Sequence, residues 1–323
     1  MSLVKVNYNN LEFKTYQPNT TFLEISKDFK RYYNFPILIA KVNNNITQLG
    51  DTIVRDSKVN FYDRSSSIGR SVYENTLQFI LVVAVIAPDA EVVVEHSIDN
   101  GVYCEIVNYK VDSDTIRKIA SKMEQIVLDD LEITKVSVAR TDAMYYFDKK
   151  KQFDKVKALR YISNTYINLY RIENIYDYFY GELAPRTKDI DDFKLTYIKE
   201  NGFVLSYPNE TNPECTLDYQ HHQKLFDKFL DYTKWGQILR VKNAADLNEF
   251  VSTGKYAELI RVSEAYFDNQ LAEVAEKIDE NRKNIKLVLI AGPSSSGKTT
   301  TSKKLEVYLQ SKGIITHQIS LDD

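Results

Sequence analysis

Apolar and polar positions alternate over Val4 to Tyr8 and over Leu11 to Tyr16, the period of a half-buried strand, and Asn9-Asn10 between them tolerates positive φ. The pattern predicts an opening hairpin. Thr21-x-x-Glu24 is a capping box, and Phe22, Ile25 and Phe29 recur at helical spacing until Asn34 and Pro36 stop the helix. Strands over Ile37 to Val42 and Lys58 to Tyr62 would close a small β-grasp domain over residues 1–62. From 63 to about 260 the pattern is α+β without regular alternation: a helix over Gly69 to Ile86, and a hairpin turning at Asn100-Gly101 between Val92-Val94 and Val102-Ile106. A helix capped by Ser113 or Asp114 follows, and a second hairpin turns at Asn201-Gly202 between Phe193-Ile198 and Phe203-Tyr207. The last stretch, 261–323, opens with an amphipathic helix from Arg261 to Asn284.

The nearly unbroken apolar run Ile285 to Ala291 predicts a parallel strand covered on both faces. Directly after it, Gly292-Pro293-Ser294-Ser295-Ser296-Gly297-Lys298-Thr299 matches G-x-x-x-x-G-K-[ST]. The glycines let backbone N–H groups close around phosphate oxygens, Lys298 reaches the β- and γ-phosphates, and the Thr299 hydroxyl ligates Mg²⁺. A helix starting near Lys298 points its positive end at the same place. Beyond Gly313, Ile314 to Leu321 predicts a second strand, ending in Asp322-Asp323. A carboxylate there would accept a proton from an attacking hydroxyl, hold Mg²⁺ through water, or simply finish the strand.

Composition narrows the function classes. The 42 Lys and Arg against 45 Asp and Glu give a net charge of −3, so no chain-wide basic field points to nucleic acid or an anionic membrane. Cys104 and Cys215 form no C-x-x-C pair, and no signal segment follows Met1, which together indicate a reducing cytoplasm. The longest apolar run, Leu77 to Ala87, has 11 residues where a membrane span needs about 20. Most of the 23 Tyr lie between 145 and 235, as a platform for bases or as half-buried packing. Lys149-Lys150-Lys151 reads as a solvated helix face. His96, His221, His222 and His317 are dispersed, unlike the ligands of one zinc.

The run Leu287 to Thr300, with Ile319-Ser320-Leu321-Asp322-Asp323 beyond it, resembles the start of uridine-kinase-type nucleoside kinases. Val6 to Tyr62, most clearly Ala40-Lys41-Val42-Asn43 and Leu49, resembles the TGS domain of threonyl-tRNA synthetases. His96 to Glu105 is similar to the Asn-Gly-Phe-Tyr-Tyr-Asp hairpin of their editing-type domain. The whole chain thus resembles bacterial nucleoside kinases with a synthetase-like N-terminal half. Gly202 to Pro208 and Leu259 to Ala265 also fit that pattern. The resemblance implies a TGS-like β-grasp domain (1–62), an editing-like α+β domain (63–260), and a linker helix with the first strand-helix-strand of an α/β P-loop kinase domain (261–323).

By this resemblance Gly292, Ser294, Ser295, Ser296, Gly297, Lys298, Thr299 and Thr300 would bind ATP, Thr299 would hold its Mg²⁺, and Lys298 and Asp322 would be catalytic. The partners would be ATP and a nucleoside, phosphorylated on its ribose 5′-hydroxyl. Only 31 residues follow Gly292, whereas a complete kinase domain needs on the order of 150, so a truncated, inactive kinase is expected. The editing-type half departs from its family too. Its helical His-x-x-x-His reads Arg70-Ser71-Val72-Tyr73-Glu74, and no zinc is expected. The competing reading is a synthetase-derived module that binds tRNA or a small ligand, with the nucleotide site acting as a switch.

Overall fold

The computed structural model describes residues 3–85, 90–198 and 202–320. They fall into two compact units, Met1–Gly236 and Gln237–Asp323.

The first unit opens with β1 (Val4–Tyr8) and β2 (Glu12–Tyr16), paired antiparallel across Asn9 and Asn10, whose φ values of 50° and 58° are those of a twisted two-residue turn. The capping box forms at Thr21 and Glu24 and starts α1 (Phe22–Lys27). Three strands follow, β3 (Ile39–Val42), β4 (Asn45–Thr47) and β5 (Ser57–Tyr62). They complete a mixed sheet of order β2-β1-β5-β3-β4 in which β1 and β5 run parallel. Its core joins Val6, Ile39's neighbour Ala40, Val59 and Phe61 to Phe22, Ile25 and Phe29 of the helical segment.

Ser66 then caps α2 (Ser67–Ala84), its side chain accepting from the Gly69 N–H. The helix begins two residues before the predicted start because Ser66 supplies that acceptor. The predicted end at Ile86 lies outside the described residues. Next come β6 (Glu91–Ile98), β7 (Gly101–Val107), α3 (Ser113–Leu128), β8 (Thr134–Ala139), α4 (Arg140–Lys149), α5 (Phe153–Arg160), β9 (Tyr166–Ile172), β10 (Ile175–Asp177), β11 (Lys194–Ile198) and β12 (Gly202–Ser206). Neither Ser113 nor Asp114 caps α3. Asp112 does, accepting from the Thr115 N–H at 2.8 Å.

An antiparallel sheet of order β11-β12-β7-β6 carries α2 and α3 on one face, through Val102, Cys104, Phe203 and Leu205. Phe226 and Leu230 of α6 (Gln223–Leu239) pack with Tyr103 and Val204, which point to the opposite face. The two sequence glycines act here by size. The β6–β7 turn sits at Asp99-Asn100, and a Cβ on Gly101 would lie 2.2 Å from the Leu205 carbonyl oxygen. A Cβ on Gly202 would lie 2.2 Å from the Tyr103 hydroxyl. A third sheet, β10-β9-β8, is covered by the α4–α5 hairpin through Ala143, Phe147, Val156 and Leu159.

The second unit contains α7 (Ala244–Ser252), α8 (Tyr256–Glu280) and α9 (Lys298–Ser311). The α8 helix starts five residues before the predicted Arg261 and stops four before the predicted Asn284. Leu271 and Ala275 of α8 pack with Leu305 and Leu309 of α9. The two strands expected at the start of an α/β kinase domain do not form among the described residues. Residues 285–291 and 314–320 form no strand among the described residues, and Leu287 and Leu289 are 73% and 78% exposed. The reason is physical: an apolar run becomes a strand only where neighbours take up its N–H and C=O groups, and no ladder is present for either segment. Among the described residues no helix is long and apolar enough to cross a membrane.

Candidate functional site

In the first unit, Arg70, Glu74 and Gln78 fall four residues apart on α2 and form one half-buried polar stripe. The Gln78 amide donates to Glu74 Oε1 at 3.2 Å, and Arg70 Nη2 meets Glu210 at 3.1 Å. Arg70 Nη1 is buried without a hydrogen-bond partner among the described residues. Burial pushes the Glu74 carboxyl above the usual carboxylate range, against the opposing pull of the Tyr207 hydroxyl and the Arg70 guanidinium. Burial also drives the Cys104 thiol up, helped by the nearby charges of Glu95 and Glu74. That thiol stays protonated and is no nucleophile.

The rim of this stripe is fixed by a second network. The Arg64 side chain, only 5% exposed, ion-pairs with Asp191, donates to the Pro213 carbonyl at 2.9 Å and stacks 4.2 Å over Phe35. Tyr73 Oη donates to the Asp192 carbonyl at 2.6 Å and accepts from the Asp192 N–H at 2.9 Å. Asp192 in turn accepts from the Thr216 N–H at 2.7 Å. These bonds tie the segment before β11 to α2 through Tyr73, and hold the loop after β12 through Arg64 and Asp192. The arrangement offers a fixed cation, a carboxyl and an amide side by side, which suits polar recognition. It does not suit zinc, since guanidinium has no lone pair to give a metal. Among the described residues no group of three or more His, Cys, Asp or Glu is placed to hold a metal ion. The histidines stay apart: His96 stacks on Phe229 at 4.0 Å, while His221 lies between Tyr219 and Gln223.

In the second unit the loop Gly292 to Gly297 folds over its own lysine. Lys298 Nζ donates to the Gly292 and Pro293 carbonyls at 3.0 and 3.1 Å. Ser295 and Gly297 have φ values of 60° and 83°, so the chain curls twice through the left-handed region in an exposed loop, with the Ser296 N–H donating to the Pro293 carbonyl at 3.3 Å. Gly297 is the N-cap of α9 and gives no side-chain cap, and no acidic residue stands in the first turn. The first-turn N–H groups, with Thr299 and Thr300 beside them, therefore lie open to an anion. The chain brings Gly292, Ser294, Ser295, Ser296, Gly297, Lys298, Thr299 and Thr300 into one loop and helix start. Asp322 lies outside the described residues.

No protein-family model matches the chain. Among curated proteins it is similar to the threonine–tRNA ligase of Clostridioides difficile (strain 630), 23% identical over 250 residues, covering 73% of this chain and 39% of that protein. The threonine–tRNA ligase of Carboxydothermus hydrogenoformans is 24% identical over 200 residues, 61% of this chain and 32% of that one. That of Vesicomyosocius okutanii is 27% identical over 163 residues, 49% and 26% respectively. The chain carries a threonyl-tRNA-synthetase-like region. It spans less than half the length of these relatives.

This finding overturns the expected enzyme class: the relatives are threonine–tRNA ligases, not nucleoside kinases. The kinase expectation grew from the phosphate loop and its flanks, and the flanking strands do not form. Sequence reasoning missed Gln78, Tyr207 and Glu210 beside Arg70 and Glu74. The i, i+4, i+8 spacing of Arg70, Glu74 and Gln78 was the available signal.

Proposed function

We propose that this chain is a tRNA-binding module derived from a threonyl-tRNA-synthetase framework, with a phosphate loop that takes a nucleoside triphosphate as a switch. The observation that carries the first half is the likeness to threonine–tRNA ligases over 73% of the chain. On this reading residues 1–62 are TGS-like, and the following α+β part keeps the editing-type frame while Arg70 and Glu74 replace a hydrolytic pair with groups suited to recognition. The loop supports the second half: Lys298, the exposed loop from Gly292 to Gly297 and the open first turn of α9 fit the triphosphate of ATP, and Thr299 fits its Mg²⁺. Bound there, Mg²⁺ would neutralise phosphate charge. The chain's own residues would orient the anion.

The test is retention of unfractionated tRNA by the purified chain on a filter, with and without ATP and Mg²⁺, alongside calorimetry of ATP binding. The expected outcome is salt-sensitive tRNA retention that changes with ATP and persists without release of amino acid from charged tRNA. Lys298→Ala should weaken ATP affinity about tenfold or more, since it removes the charge-assisted contact to phosphate, and leave the melting temperature unchanged. Retention of no tRNA overturns the first half, and equal ATP affinity of Lys298→Ala and parent overturns the second.

A further inference from the structure

The α4–α5 hairpin is a charged island. Residues 140–161 hold seven Lys and Arg against three Asp, a local +4 in a chain whose net charge is −3. The hairpin turns at Lys149-Lys150-Lys151, all exposed. Lys151 stands at the left-handed position after the helix, φ 59°, where the Gln152 N–H reaches back to the Phe147 carbonyl at 2.9 Å. Glycine is the residue that this position favours, because a Cβ there is strained. A cation occupies it instead.

Aromatic rings stand out among these charges. Tyr145 is 66% exposed, Phe153 62% and Tyr161 40%. Lys149 Nζ sits 5.3 Å over the Tyr145 ring. The inner side of the hairpin is taken up by core packing through Phe147, Val156 and Leu159, so the rings on the outer side have no share in that core. Rings interleaved with cations are effective against a polyanion with flat faces, where cations neutralise phosphates and rings stack on bases.

We infer that the outer face of the α4–α5 hairpin, with the Lys149-Lys150-Lys151 turn and Tyr145 and Phe153, is the surface that grips single-stranded or end segments of RNA. The inference rests on the tRNA-binding reading above and deepens it by giving the contact a place. An acidic protein segment would use the lysines and leave the rings idle, so RNA is the partner that the face fits better. Two kinds of contact are assigned to it: the turn lysines hold phosphates, and the rings hold bases.

The experiment measures affinity for unfractionated tRNA over a range of salt. It compares the parent, Lys149→Glu/Lys150→Glu/Lys151→Glu, the milder triple change to Gln, Tyr145→Ala/Phe153→Ala, and a control triple change to Glu at Lys224, Lys228 and Lys234 of α6. Thermal melting checks folding, and the Gln variant serves if the Glu variant fails to fold. The expected result is at least a tenfold loss for the turn variants with a salt slope smaller by about two, as for the loss of two or three phosphate contacts. The ring variant should lose affinity for tRNA but not for heparin, and the control should bind like the parent. A parent that binds tRNA with turn variants just as tight overturns this inference and leaves the proposed function standing. Binding of poly-glutamate but not tRNA overturns both, as does a parent that binds neither.

Discussion

At the scale of single residues, Asp189 sets a pH dependence. It lies in a short helical turn beside Asp130, Arg186 and Lys188, and burial pushes its carboxyl up to about 6 against the pull of the neighbouring cations, while Asp130 and Asp191 add to the rise. A carboxyl whose pKa is higher in the folded state binds its proton more tightly there than when unfolded. Stability therefore falls as pH rises from about 4 to about 6 and stays lowered above that. The shift from 3.8 corresponds to a loss on the order of 2 to 3 kcal/mol at neutral pH. Asp189→Asn should remove this dependence and raise stability at pH 7 by about 1 to 2 kcal/mol. Urea unfolding at pH 4.5 and pH 7 checks it, and an unchanged difference between the two pH values would refute the assignment. By contrast, Asp130, held by Arg186 and Lys188, has its carboxyl held below the usual range.

At the scale of elements, the sequence was legible wherever a local rule decides the outcome. Asn9-Asn10, the Thr21–Glu24 box and the alternation in β1 and β2 all describe interactions within a few residues, and those elements form. Legibility ended where partners decide. Residues 285–291 carry the composition of a central strand, yet strand formation is a property of the ladder and not of the run. The glycines show the same limit: Asn100-Gly101 signals a turn, but Gly101 matters because the Leu205 carbonyl passes close by, a long-range fact. The candidate stripe was half visible, since helical spacing linked Arg70 to Glu74, while Tyr207 and Glu210 come from a distant segment. Gly202 offers a check. Gly202→Ala would drive a methyl into the Tyr103 ring, which is buried and held by its hydroxyl donating to Glu105 at 2.9 Å. A loss of about 2 to 4 kcal/mol by denaturant unfolding is expected, partly recovered when Tyr103→Phe is added. A neutral Gly202→Ala would show that the ring has room to move.

At the scale of the whole molecule, the two units differ greatly in the core each owns. The first has extended buried clusters around its sheets, whereas the described core of the second is one seam of Leu271, Ala275, Leu305 and Leu309. A core that small gives marginal stability, so calorimetry should show a broad early transition for the second unit before the main one. Leu271→Ala, at a site 5% exposed, should cost about 2 to 4 kcal/mol and lower that early transition while leaving the main one in place. A single transition that shifts as a whole would mean that the units unfold together.

The unequal settings of the two cysteines turn the protein into its own clock. Cys215 is exposed, while Cys104 is sealed between α2 and the sheet with its thiol held protonated. A thiol reagent in excess should label Cys215 within the mixing time and then wait for Cys104, which is reached only when the sheet parts from α2. The rate of that second labelling event measures how often the synthetase-like frame breathes, without mutation. A tRNA that binds the closed frame should slow the event in proportion to its occupancy, whereas one that binds only the outer hairpin without tightening the frame should leave the interval unchanged.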